Sequence, residues 1–209
     1  MYNDKLPFFS EQMKDIILFR SKFPVSKKDL VIKPLHLPRD INIIHEWVNQ
    51  PYAKMFWQMD GPVETLYHYY ENLLSSGTGY SLMCFLEDKP IAQVDYYQVE
   101  TDEVKKHLDY SETDFGIHMI MGNYHEPIAH LTRDVMITVL AFLFTLDINR
   151  VIGEPDVRNE KANKLVVDVG FRFIKTIQMS YKTANLYLFS KAGFINRYGD
   201  PKNNIFKIS

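Results

Sequence analysis

His118 lies in a strand run, Phe115 to Met121, in which its apolar neighbours Ile117 and Met119 point to the opposite side, so its imidazole stands on the other face of an extended chain. Asp156 follows 38 residues later, just past the short strand pattern Arg150-Val151-Ile152-Gly153-Glu154, where strand ends in an α/β sheet present ligand-binding loops. If the two strands are neighbours, both side chains reach one cleft. A carboxylate beside an imidazole holds its tautomer and favours its protonated form, which suits a general base working near neutrality. Two plainer readings stay open on the residues alone: a strand histidine satisfied in the core or at the surface, and a loop or N-cap carboxylate for a helix beginning near Asn159.

Other chemistries find less support. The single cysteine, Cys84, sits inside Tyr80-Ser81-Leu82-Met83-Cys84-Phe85-Leu86 and reads as a buried small hydrophobe, neither a staple nor a nucleophile. His118, His125 and His130 lack cysteine ligands or an H-x-x-x-H helical spacing, so no metal is expected. With 24 Lys+Arg against 26 Asp+Glu and no basic cluster, the chain has no electrostatic footprint for nucleic acid. No apolar stretch reaches the roughly 18 residues of a membrane span. The start, Met1-Tyr2-Asn3-Asp4-Lys5, lacks the pattern of a signal peptide, so a cytoplasmic protein is expected. At 209 residues the chain can build one substantial core, and its 14% aromatic content suits a filled core or a lined pocket.

The elements that would position His118 and Asp156 follow from periodicity. One domain over 30–195 is expected, with an N-terminal extension, 1–29, and a C-terminal tail, 196–209. In the extension, Phe9, Met13, Ile16 and Ile17 after Ser10 suggest a short amphipathic helix, and the boundary is placed near Pro24 to Lys28. Then come an extended Leu30 to Pro34, a helix burying Ile41, Ile44, Trp47 and Val48, and a helix from Val63 to Ser75. Tyr80 to Leu86 and Ile91 to Val99 form a hairpin across Glu87-Asp88-Lys89-Pro90. The strand ending near His118 leads into a long helix carrying Ile128, Leu131, Val135, Val139 and Leu143. After the strand at Arg150 comes a helix carrying Ala162, Leu165, Val166 and Val169, closed by Gly170, and then extended runs at Phe171 to Met179 and Asn185 to Ser190. Strands interleaved with helices, opening on a hairpin, predict an α/β protein: a mixed, mostly antiparallel twisted sheet with helices on both faces.

This order is similar to the GNAT acyltransferase fold, and particular residues carry the resemblance further. Asp95-Tyr96-Tyr97, Asp102, Tyr110, Asp114-Phe115-Gly116-Ile117-His118 and Glu154-Pro155-Asp156-Val157-Arg158-Asn159 resemble the siderophore-biosynthesis branch of that superfamily. That branch includes the N-hydroxylysine acetyltransferase of aerobactin assembly and the lysine acyltransferase of mycobactin assembly. Glu46-Trp47-Val48-Asn49-Gln50-Pro51 and Phe56-Trp57-Gln58-Met59-Asp60-Gly61-Pro62 are similar to its substrate-side segments.

The resemblance covers roughly 30 to 195 and implies splayed central strands with acetyl-CoA, or another acyl-CoA, lying between them. It implies His118 and Asp156 as a catalytic pair in direct acyl transfer to an amine or hydroxylamine nitrogen, without a covalent enzyme intermediate. A backbone N–H near Ile120 or Met121 would stabilise the oxyanion. Thr132 and Arg133 would meet the pyrophosphate, and Asn159 and Ala162 the pantetheine arm. Two departures stand out: the family's phosphate-loop glycine places are held by His130 and Thr132, and the place of a leaving-group tyrosine by Val166. Trp57 and Asp95 are candidates for the acceptor, Asp95 by pairing with a distal cation. A small-molecule partner and a monomer or homodimer are expected. The alternatives are a GNAT-fold binding module without CoA-dependent activity, and an acetyltransferase for another amine such as an aminoglycoside.

Overall fold

A left-handed pair of residues sets the tight hairpin in the middle of the sheet. Glu87 and Asp88 both have positive φ, 50° and 64°, as a two-residue turn between right-twisted strands demands. The strands it joins are β3, Gly79–Leu86, and β4, Lys89–Gln98, so Pro90 lies inside the second strand. The computed structural model describes residues 15–22, 29–122 and 128–203. Before the hairpin come β1, Phe19–Lys22; β2, Asp29–Pro34; and helices α1, Leu37–Val48; α2, Pro51–Trp57; and α3, Val63–Ser75. After it come β5, Asp114–Met121; α4, Leu131–Thr145; β6, Arg150–Gly153; α5, Glu160–Val169; β7, Arg172–Gln178; β8, Thr183–Ser190; and α6, Lys191–Tyr198.

The strands make one eight-stranded sheet in the order β1-β2-β3-β4-β5-β6-β8-β7. Every neighbouring pair is antiparallel except β5 and β6, which pair in parallel. That pair is short: Asp114, Phe115 and Gly116 match Arg150, Val151 and Ile152, and there the ladder stops. β5 runs on to Met121 while β6 ends at Gly153, so the two diverge into a wedge.

Alternation along the strands sorts the core. Val31, Met83, Phe85 and Ile120 pack under α1 and α3. Leu82, Cys84, Ala92, Val94 and Ile117 pack on the other face against α4, which is apolar nearly all round and correspondingly buried. Gly116 is small for a reason. It lies opposite Tyr97, and a Cβ there would come within 2.2 Å of the Tyr97 ring. The missing side chain lets Tyr97 lie across β5 toward the wedge.

The expected strands and four main helices are present, and the differences lie at the ends. β1, placed in the extension by sequence, is an edge strand of the main sheet, with Phe19 opposite Ile32. The hydroxyls of Ser21 and Thr138 meet at 2.8 Å and tie it to α4. Of the expected amphipathic helix, Phe9, Ser10 and Met13 lie outside the described residues, as does the boundary at Pro24 to Lys28; Ile16 and Ile17 are exposed and not helical. Ile128 precedes α4 instead of joining it. The expected limit at 195 falls inside α6, which Ser190 caps and Tyr198 fastens by donating to the Val169 carbonyl at 2.7 Å. No helix among the described residues is long and apolar enough to cross a membrane.

Candidate active site

A cavity of about 350 Å³ opens where β5 and β6 part. It is lined by His118 from β5, by Glu154 and Asp156 from the segment after β6, and by Trp57, Tyr69, Asn159 and Ala162. His118 Nε2 lies 2.6 Å from Glu154 Oε1, and the Tyr97 hydroxyl donates to the same oxygen at 3.1 Å. The Trp57 ring meets the imidazole edge-on, with centroids 6.3 Å apart. With Nε2–H held by the carboxylate, Nδ1 is the nitrogen left to accept a proton.

The histidine's carboxylate partner is therefore Glu154 and not Asp156. Asp156 is two residues further from the strand end, where it bridges to Ala184 of β8. Its oxygens are taken locally: Arg158 donates from Nε at 2.9 Å, from Nη2 at 2.7 Å and from its backbone N–H at 2.8 Å. The N-cap of α5 is Asn159, whose Oδ1 accepts from the Ala162 N–H at 3.1 Å. Sequence alternation held the signal that was missed, since Glu154 directly follows the last strand residue and is the first carboxylate to reach the neighbouring strand.

Burial alone would depress the His118 imidazole, but the Glu154 charge and hydrogen bond outweigh it and hold the group above its ordinary range. Burial likewise works against the Glu154 carboxylate, whose side chain is 1% exposed. His118, Lys182 and Tyr97 together draw it below the usual range.

Of the other sequence candidates, Trp57, Asn159 and Ala162 line the cavity, and Asp95, Ile120, Met121, Thr132 and Arg133 do not. Asp95 lies directly opposite His118 and Ser81 on its two neighbouring strands. Its carboxyl is closed in: Oδ1 accepts from Gln93 Nε2 at 2.5 Å, and Oδ2 is buried. Burial pushes it up to about 6. A carboxyl raised in the fold stabilises the protein fully below its unfolded value near 3.8, and that stability drains as pH climbs to about 6. The loss is about 3 kcal/mol for two units. Asp95→Asn removes the drain, so its advantage in melting temperature over the parent should grow between pH 4 and 6 and stay level above 7; a difference independent of pH would contradict the buried carboxyl.

Backbone geometry separates the two oxyanion candidates. Gly122 N–H donates to the Ile91 carbonyl at 2.7 Å, and antiparallel alternation then turns the Ile120 N–H toward β4. The N–H groups of Met119 and Met121 face the opposite edge of β5, beyond the end of its pairing with β6.

At the start of α4, His130 has φ of 65°, the left-handed conformation that glycine adopts most readily, and no side chain caps the helix. Arg133 Nε is buried there with no hydrogen-bond partner among the described residues.

Residues 36–179 match the Acetyltransferase (GNAT) domain family. The chain belongs to the GNAT acetyltransferase family. Among curated relatives, N-hydroxyputrescine acetyltransferase of Acinetobacter baumannii is 26% identical over 80% of this chain and 81% of its own length. N(6)-hydroxylysine O-acetyltransferase of Escherichia coli is 22% identical over 91% of this chain, which spans only 57% of that relative. The crystal structure of aminoglycoside acetyltransferase AAC(6')-Ib in complex with coenzyme A matches with a TM-score of 0.73 at 15% identity, covering 80% of this chain and 98% of that one. The GNAT fold is thus shared at this low identity.

Proposed function

We propose that this protein is an acyl-CoA-dependent N-acyltransferase that acetylates a lysine-like or diamine-like amine or N-hydroxylated amine of the kind used in siderophore assembly. The carrying observation is the His118–Glu154 pair set in an open wedge. The two curated relatives act, by their names, on N-hydroxyputrescine and N(6)-hydroxylysine.

The residues present suit the co-substrate. The uncapped start of α4 offers backbone N–H groups and a positive helix end to a pyrophosphate, and the half-buried Arg133, whose Nε has no hydrogen-bond partner among the described residues, adds charge. His130 keeps a glycine-like backbone where the family pattern has glycine. Asn159 and Ala162 border the cavity on the side where a pantetheine arm would run.

The chain's own groups then divide the work. Glu154 fixes Nε2–H, and His118 Nδ1 takes the proton from the attacking nitrogen as the C–N bond forms and the C–S bond breaks. The Met119 or Met121 N–H faces the developing oxyanion, a contribution of about 3 to 4 kcal/mol for a preorganised donor. Val166 has no proton to give, so solvent returns one to the departing sulfur. Asp156, held by Arg158, keeps its place as a cavity wall, and Trp57 and Tyr69 provide apolar sides for an alkyl chain.

Purified protein with acetyl-CoA and N-hydroxyputrescine or N-hydroxylysine should release free CoA thiol, read with a thiol reagent. Absence of release across an amine panel, together with no thermal shift at saturating acetyl-CoA, would overturn the reading.

A further inference from the structure

Glu154 is a buried charge, and a base must rest unprotonated. These two requirements conflict. If His118 is neutral, its hydrogen bond and the Tyr97 hydroxyl are dipoles only, and a carboxylate with a 1% exposed side chain needs a full positive charge nearby. Lacking one, the pair would keep a proton, either on the imidazole or on the carboxyl, and the base would be spent before substrate arrives.

The described residues provide one such charge. Lys182 Nζ lies 3.8 Å from Glu154 Oε1, its side chain is 12% exposed, and it lines the same cavity. It stands at the turn between β7 and β8, where Met179 N–H donates to the Lys182 carbonyl at 2.9 Å. That turn is itself fastened. Ser180 donates to Glu103 Oε2 from its backbone N–H at 3.0 Å and its hydroxyl at 2.7 Å, docking the hairpin tip on the short turn Glu103–His107. The other charged or titratable groups around the pair are Asp95 and Tyr97 on β4, Asp102 before that turn, Asp156 after β6 and Tyr181 beside Lys182. None of them is a cation, and the nearby Arg158 is engaged with Asp156.

We propose that Lys182, seated by the Glu103–Ser180 clamp, is a positioning residue that supplies a standing positive charge for Glu154 and so increases the share of His118 that is neutral and able to accept a proton. The catalytic consequence rests on the acyltransferase reading, but the electrostatic one does not. It also agrees with the direction in which Lys182 acts on both partners, lowering each.

The test is an NMR titration of the His118 imidazole beside a pH–rate profile, in the parent, Lys182→Met and Lys182→Arg. In K182M the His118 midpoint should move up and the acid limb of kcat/KM should move with it. The rate should fall about tenfold near neutrality and approach the parent's on the alkaline side, since each unit of displacement is tenfold. K182R should restore the parent profile. An unmoved midpoint in K182M, or a rate loss equal at every pH, would overturn the proposal. Should K182M fail to fold, Glu103→Gln keeps Lys182 and loosens only its seat: a smaller upward move supports the assignment, and none overturns it. A moved midpoint in a protein that transfers no acyl group would leave the role of Lys182 standing and remove the acyltransferase reading instead.

Discussion

His118→Ala should lower kcat/KM for amine acylation by about 10² to 10⁴-fold at neutral pH, the range for loss of a positioned general base. On the proposed mechanism the imidazole takes the proton, and alanine leaves nothing in its place. Glu154→Gln separates the two carboxylates. The amide keeps the shape of the glutamate but loses the charge that lifts the imidazole, so the rate should drop at least tenfold and the acid limb should shift to lower pH. Asp156→Asn should cost less than Glu154→Gln, because Arg158 and not His118 is the partner of that carboxylate. Steady-state kinetics on the three variants decide the matter: unchanged turnover in His118→Ala removes the base, and a larger loss in Asp156→Asn returns its role to the aspartate.

Arg150→Met should produce the largest loss of stability. Arg150 pairs with Asp114 from the neighbouring strand, Nε donating to Oδ1 at 2.8 Å and Nη2 donating to Oδ2. The Asp114 side chain is fully buried and the Arg150 side chain 34% exposed. Removing the arginine strands a buried charge, typically at a cost of 3 to 5 kcal/mol, and the partly open rim favours about 3. For a domain of this size that is roughly 6 to 12 °C in melting temperature. The double variant Asp114→Asn with Arg150→Met should recover part of the loss, since no lone charge remains. A single-variant loss under about 1 kcal/mol would mean that Asp114 finds another partner; its remaining bond is the Ser111 N–H at 2.8 Å. These two residues are register partners at the closed end of the short β5–β6 ladder.

Periodicity carried most of the architecture because most elements bury one clear face. Val63 to Ser75 was read with the observed limits, since Leu66, Tyr70 and Leu74 repeat at helical spacing and all three are buried. α2 and α6 were not read. In α2 only Ala53 is buried, and in α6 only Phe194 and Tyr198 are, too few for a stripe. β1 has no sequence reading because its alternation, Phe19 and Ser21 inward with Arg20 and Lys22 outward, covers four residues and depends on a partner further along the chain.

The site was legible as to its elements and less so as to its contacts. His118 was identified from its strand and its surroundings, whereas choosing between Glu154 and Asp156 required knowing how far β6 runs before the chain turns. Lys182 gave no signal in the sequence. A lysine in a hairpin turn is ordinarily solvated, and only the docking of that turn by Glu103 and Ser180 brings this one inward.

The lone parallel pairing of β5 with β6 has a consequence for how the molecule comes into being. Its two halves are joined through the whole of α4, so closing that long crossover costs chain entropy before any contact between them rewards it. The antiparallel hairpin of β3 and β4 can form from near neighbours, but the wedge between β5 and β6 cannot. During synthesis His118 leaves the ribosome before β6 does, so the strand that forms the other wall of its wedge arrives only after the whole of α4 has been made.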